Sequence, residues 1–172
     1  MTIGHNQVRD IVAAGLSEAD PGIIMEAPAL VDSRPELRPA DILSSGGCFA
    51  GTQAIDIGIT SPNAGGAIDI GIEKLDNYRD ILPELARSGI RYVPLIASCY
   101  GRRSEAFSSL LRVAASKAAR LRGTSSYDWK VRRWHLCIGV ALARRAAHLA
   151  MRCLPSEPDG VWLACVETEQ GD

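Results

Sequence analysis

Aromatic residues are scarce in this chain, with three Trp, four Tyr and two Phe making up 5% of its 172 residues. A core with so few rings rests on Ala, Ile, Leu and Val, which suits a sheet covered by helices better than an aromatic-rich sandwich. Long apolar runs are missing as well. The longest, Leu136 to Ala143 with glycine allowed, falls far short of the ~20 residues a bilayer span needs. The opening MTIGHNQVRD has no apolar signal core. No C-x-x-C pair occurs among the five cysteines, and Cys48, Cys99, Cys137, Cys153 and Cys165 are scattered, as thiols of a reducing compartment would be. These absences predict a cytoplasmic or nuclear protein that is not secreted and has no membrane partner. No P-loop occurs, and the glycine pairs at 46–47 and 65–66 do not stand between a strand and a helix in the G-x-G-x-x-G manner, which argues against a dinucleotide site.

What is present is 47% apolar and 23% charged residues, the composition of one ordinary globular domain. The reading is a single domain over residues 1–172, with its core at about 8–154 and an acidic tail at 155–172. The net charge of -1 hides a division. Residues 1–100 hold seven Lys and Arg against thirteen Asp and Glu, residues 101–154 hold twelve against two, and residues 155–172 hold none against five. Ten of the twelve middle cations are Arg, whose fork matches phosphate geometry. Such a block points toward a polyanion, with a solvated Arg-rich helix surface as the alternative.

Hydrophobic periodicity gives an α/β order. A short helix is expected over Val8 to Leu16, then strands over Ile23 to Leu30, Asp41 to Ser44 and Gln53 to Thr60. A helix over Glu73 to Ser88 follows, ended by Gly89 and made imperfect by Pro83. The run IRYVPLIA (90–97) returns as a strand, with Pro94 suggesting an edge or a bulge. Two long helices come next, one capped by Ser104 and ended by Gly123, the other from Tyr127 to Cys153. Val161 to Val166 reads as a last short strand. The segment AIDIGIT (54–60) recurs as AIDIGIE (67–73); a hairpin of two paired copies is one reading, and a chance echo leading into the Lys74 helix is the preferred one.

Carboxylates on strands are the strongest chemical signal. Asp41 opens one strand and Asp56 sits mid-strand among isoleucines, an environment that disfavours a bare charge. Two carboxylates from neighbouring strands, a backbone carbonyl and water suit magnesium. The alternative is a solvent-facing Asp56 paired with an Arg. Cys99 in SCYGRRS lacks the Arg spacing of a phosphatase loop and reads as an inert thiol.

The segments RPADI (38–42), AIDIGITSP (54–62), Lys74 with Tyr78, and IRYVPLIASCYGR (90–102) together resemble the PD-(D/E)XK, or restriction-endonuclease-like, nuclease fold in the divergent form associated with retroelements and reverse transcriptases. The resemblance covers about residues 10–154. It implies a mixed central β-sheet flanked by helices in the order αβββαβ, followed by two Arg-rich helices. It also implies magnesium-dependent hydrolysis of DNA phosphodiesters, with manganese as a substitute ion. Asp41 and Asp56 match the two metal-binding acids, and Glu26 is an accessory candidate. Gly58 stands where the family's motif lysine belongs, so Lys74 is the catalytic candidate, as in members that draw their lysine from the following helix; a solvated helix residue is its other reading. Arg102, Arg103, Arg133, Arg144 and Arg145 are the candidate nucleic-acid contacts, with DNA favoured over RNA. A degenerate, non-cutting domain, a non-catalytic interaction module using the Arg-rich helices, and a homo-oligomer built on their apolar stripes remain as alternatives.

Overall fold

The computed structural model describes residues 3–46, 49–60, 67–123 and 127–153. Helix α1 spans Ile3–Ser17, strands β1 to β3 span Ile24–Met25, Ile42–Ser44 and Thr52–Thr60, and helices α2 and α3 span Ala67–Asn77 and Leu82–Arg87. Strand β4 (Ile90–Ser98), helix α4 (Glu105–Leu121) and helix α5 (Tyr127–Cys153) follow. The strands form one mixed sheet in the order β1-β2-β3-β4, antiparallel across β1, β2 and β3 and parallel between β3 and β4.

Strand parity divides the sheet into two unlike faces. Ile55, Ile57, Leu95 and Ala97 join the main core with Val8, Val12 and Leu16 of α1, Phe107 and Leu111 of α4, and Trp134, Ile138 and Leu142 of α5. The opposite face carries Ala54, Asp56 and Gly58 of β3, in register with Tyr92, Pro94 and Ile96 of β4. Helices α2 and α3 pack on that face, where Ile81 and Leu85 form a smaller cluster with Val31. Pro94 lies on the terminal strand of the sheet, the edge position its missing N–H requires.

Several expectations need correction. The first strand is only Ile24–Met25, because the chain turns away at Glu26 and Ala29, whose φ values are +48° and +55°. The helix expected over 73–88 is two helices, and Pro83 falls in the first turn of α3, where an N–H has no helical partner to lose. The second AIDIGI copy does not pair as a hairpin, in line with the preferred reading, but it forms the beginning of α2 instead of merely leading into it. One hexapeptide thus forms a strand between two partners and a helix when followed by EKLDN, a case of tertiary context overriding propensity. Leu121 and Leu149 are exposed, although helical spacing aligns them with the buried residues of α4 and α5. Cys99 is buried as expected of a core thiol, whereas Cys137 is exposed. The strand expected at 161–166 lies outside the described residues.

The bounds of α4 and α5 match the sequence reading. Ser104 caps α4 by accepting a hydrogen bond from the Phe107 N–H at 3.3 Å, and Gly123 at φ +61° follows its C-terminus.

Candidate active site

Three of the candidate residues converge between the second and third strands and α2. Asp41 directly precedes β2, where its backbone N–H donates to the Ile55 carbonyl, and its Oδ2 accepts from the Ile57 N–H at 2.7 Å. That places its carboxylate against the backbone of the residue next to Asp56. Asp56 is buried mid-strand on the face covered by α2. From that helix Lys74 reaches down, its Nζ donating to both Asp56 oxygens at 2.6 Å. Tyr92 on β4 adds a hydroxyl donor to Asp56 Oδ2 at 2.5 Å, and Tyr78 packs edge-on against the Tyr92 ring.

Gly58 explains how Lys74 arrives. A Cβ built on Gly58 would sit 2.7 Å from Ile96 Cδ1 and 2.8 Å from Lys74 Cε, closer than real side-chain contacts allow. The space that a side chain at 58 would occupy is filled by the tip of Ile96 and the Lys74 stem. Gly58→Ala is therefore expected to push Lys74 away from Asp56 and to cost about 1–3 kcal/mol. Chemical denaturation of Gly58→Ala, Lys74→Ala and the double variant checks this: the two effects should be non-additive, and simple additivity contradicts the shared space.

His5 was not foreseen. It lies on α1, three residues before Val8 and therefore on the same buried helix face, and its Nε2 stands 2.9 Å from the Ile57 carbonyl oxygen and 3.3 Å from Asp41 Oδ2. Its Nδ1 is buried and has no hydrogen-bond partner among the described residues. The sequence signal was the register of His5 with Val8, Val12 and Leu16, hidden within what reads as a polar start. Tyr92 carried a signal too, since alternation along IRYVPLIA puts it on the Asp56 side.

The titrations follow from this packing. Burial pushes the Asp56 carboxyl above its ordinary value, and the neighbouring Asp41 charge adds to this, while Lys74 and Tyr92 offset only part of it. Burial also acts to raise Asp41, but the hydrogen bonds from His5 and the Ile57 N–H, with Lys74 nearby, outweigh it and hold that carboxyl below the usual range. The Asp41 hydrogen bond raises His5 above its ordinary value against the effect of burial. Burial and the Asp56 charge raise Tyr92 far above the usual phenol range, which keeps it a neutral donor.

A pH-dependent stability follows for the metal-free protein. Because His5 is raised in the folded state, its stabilisation is complete below its ordinary 6.5 and is lost as pH rises through the folded value. The Asp41 share is present above its ordinary 3.8 and is lost as pH falls through a lower folded value. Wild type should exceed His5→Gln by about 1–2 kcal/mol at mildly acidic pH and by much less well above neutrality. Denaturant midpoints measured across pH check this, and a gap that widens with rising pH contradicts it.

The remaining candidates lie apart from this cluster or have other partners. The Glu26 carboxylate is held by Arg9 and Arg38. Arg102 is exposed before α4, whereas Arg103 is half-buried, with a buried Nη1 that has no hydrogen-bond partner among the described residues. Arg133 and Arg144 are exposed and Arg145 half-buried on α5, which packs on α1 and α4 on the other side of the sheet. Arg133 lies over the Trp129 ring at 5.2 Å.

Among the described residues no group of three or more His, Cys, Asp and Glu is arranged to hold a metal. Asp41 and Asp56 offer carboxylate oxygens, the donor type magnesium accepts, while the Ile57 carbonyl is engaged by His5 and both Asp56 oxygens accept from Lys74. No helix among the described residues is long and apolar enough to cross a membrane. No family model matches the chain, and no curated protein or solved structure matches it.

Proposed function

We propose that this chain is a PD-(D/E)XK-type domain that hydrolyses nucleic-acid phosphodiester bonds with a divalent cation, magnesium or manganese. One observation carries the reading: a carboxylate on β3, another immediately before β2 and a lysine of α2 lie together, and Lys74 occupies the space that Gly58, at the motif lysine's position, leaves open. The mixed four-stranded sheet, preceded by α1 and with α2 and α3 between β3 and β4, is consistent with the αβββαβ order.

In this reading Asp41 and Asp56 hold the cation, which supplies Lewis-acid polarisation of the phosphoryl oxygen and a more acidic water. The Lys74 ammonium, fixed by Asp56, stabilises negative charge developing on the phosphoryl group. Tyr92 fixes the orientation of Asp56, and His5 and the Ile57 N–H fix that of Asp41. Exposed Arg112, Arg120, Arg132, Arg133 and Arg144 have no carboxylate in ion-pair range among the described residues. They supply charge for a phosphate backbone without reading sequence, and DNA is the favoured substrate.

The test is nicking of supercoiled plasmid by the purified chain. Cleavage is expected in magnesium or manganese and absent with a chelator. Binding should weaken steeply with salt, as phosphate contacts require. Salt-sensitive binding without cleavage in either metal would favour the non-catalytic interaction module, which the unpaired arginines also fit.

A further inference from the structure

Helix α5 is apolar on two opposite faces. Trp134, Ile138, Ala141 and Leu142 are buried, while Trp129, Leu136, Val140 and Met151 are exposed at 58%, 67%, 42% and 72%. The exposed residues recur at intervals of seven, four and eleven, so they make one stripe along the side turned away from the core. Arg132 and Arg133 border this stripe near one end and Arg144 toward the other, and all three are exposed. Among the described residues nothing covers it. A stripe of this length is more than the scattered surface apolars of an ordinary monomer.

The chain that follows α5 matches this face in both charge and order. Residues 155–172 contain Glu157 and Asp159, then the apolar run VWLACV (161–166), then Glu167 and Glu169, with no Lys or Arg. Read backwards from its C-terminus, α5 presents Arg144, then Val140 and Leu136, then Arg133 and Arg132. The sequence acid–apolar–acid therefore faces basic–apolar–basic when the two segments run antiparallel. The lengths agree as well. Along the helix axis Val140 lies ~20 Å and Leu136 ~26 Å from Cys153 at 1.5 Å per residue. If residues 154–156 reverse the direction, an extended chain puts Val161 at ~17 Å and Val166 at ~34 Å.

We propose that residues 157–169 dock antiparallel on the outer face of α5, with Val161 to Val166 over Leu136 and Val140 and the flanking carboxylates against Arg144, Arg133 and Arg132. A second copy of the chain fits this face less well, because the stripe is bordered by arginines and Asp128 is the only acid on α5.

Native cysteines test the contact in the full chain. Cys137 is exposed on α5 near Leu136, and Cys165 lies within the apolar run of the segment. A short bis-maleimide is expected to link Cys137 to Cys165 within one chain, at a yield independent of protein concentration. The Leu136→Glu, Val140→Glu variant changes only exposed side chains and should lower that yield by about tenfold. Far-ultraviolet circular dichroism shows whether the variant remains folded. The proposal is overturned if the link is absent, if the variant leaves its yield unchanged, or if the linked species is a Cys137–Cys137 dimer whose yield rises with concentration; the last result would assign the face to a second copy.

Discussion

Replacing Lys74 with alanine is expected to lower stability by about 2–3 kcal/mol at neutral pH, by the loss of one partner from a largely buried ion pair. Lys74 Nζ contacts both Asp56 oxygens, and the two side chains are 22% and 10% exposed. Among the described residues the buried carboxylate then keeps only the Tyr92 hydroxyl as a side-chain donor. The loss should shrink as pH falls. Asp56 already titrates above its ordinary value, so the folded state binds its proton more tightly than the unfolded state does. Removing Lys74 takes away an influence that lowers this value, moving it further up, so protonation relieves the variant at a higher pH than it relieves wild type. Denaturant titrations across the acidic range measure the effect; a deficit that grows on acidification would contradict the assignment of Lys74 as the stabiliser of a charged Asp56. In the proposed reaction the same substitution should slow cleavage by a factor on the order of 100–1,000, the effect of losing one stabilising donor in other hydrolases.

Trp134→Ala should have the largest effect on stability, about 3–5 kcal/mol. Trp134 is buried in the main core, and its ring lies over Gly15 of α1: a Cβ there would meet three ring atoms at 3.1–3.4 Å. The contact holds α5 to α1, the most extensive helix pair in the fold. Truncation leaves a void between two helices whose backbones are already held by their other contacts, so little collapse can offset it. The consequence reaches the candidate site through α1, which carries His5 to Asp41. The denaturant midpoint should fall with little change in slope, and a loss below about 1 kcal/mol would mean that α5 contributes little to the folded core.

Particular residues show how much of this was legible in the sequence. Strand alternation points to Asp41 and Asp56 and the pattern resemblance adds Lys74; the β2–β3 pairing sets Asp41 against the Ile57 N–H, and the α2 approach brings Lys74 onto Asp56. Ser104 and Gly123 bounded α4 because capping chemistry is local. The start of α2 was misread because AIDIGI carries a strand's alternation, and only its neighbours in space decide between strand and helix. His5 escaped notice because its meaning depends on a contact 52 positions away with Ile57. Gly58 looked like a missing lysine, and its role as room for another residue's stem became visible only with the packing of α2 on β3. Helical spacing along α5 points to Trp134, Ile138, Ala141 and Leu142 as its buried side, and all four are buried.

Asp41, Asp56 and Lys74 are proposed to form one hydrolytic site. Its most direct test is single-turnover cleavage of plasmid DNA in magnesium by wild type and Asp56→Asn, with folding and DNA affinity measured on the same preparations. The account predicts cleavage by wild type and loss of cleavage in the variant by a factor on the order of 100 or more, with DNA binding retained. A folded Asp56→Asn protein that cleaves as fast as wild type would contradict it.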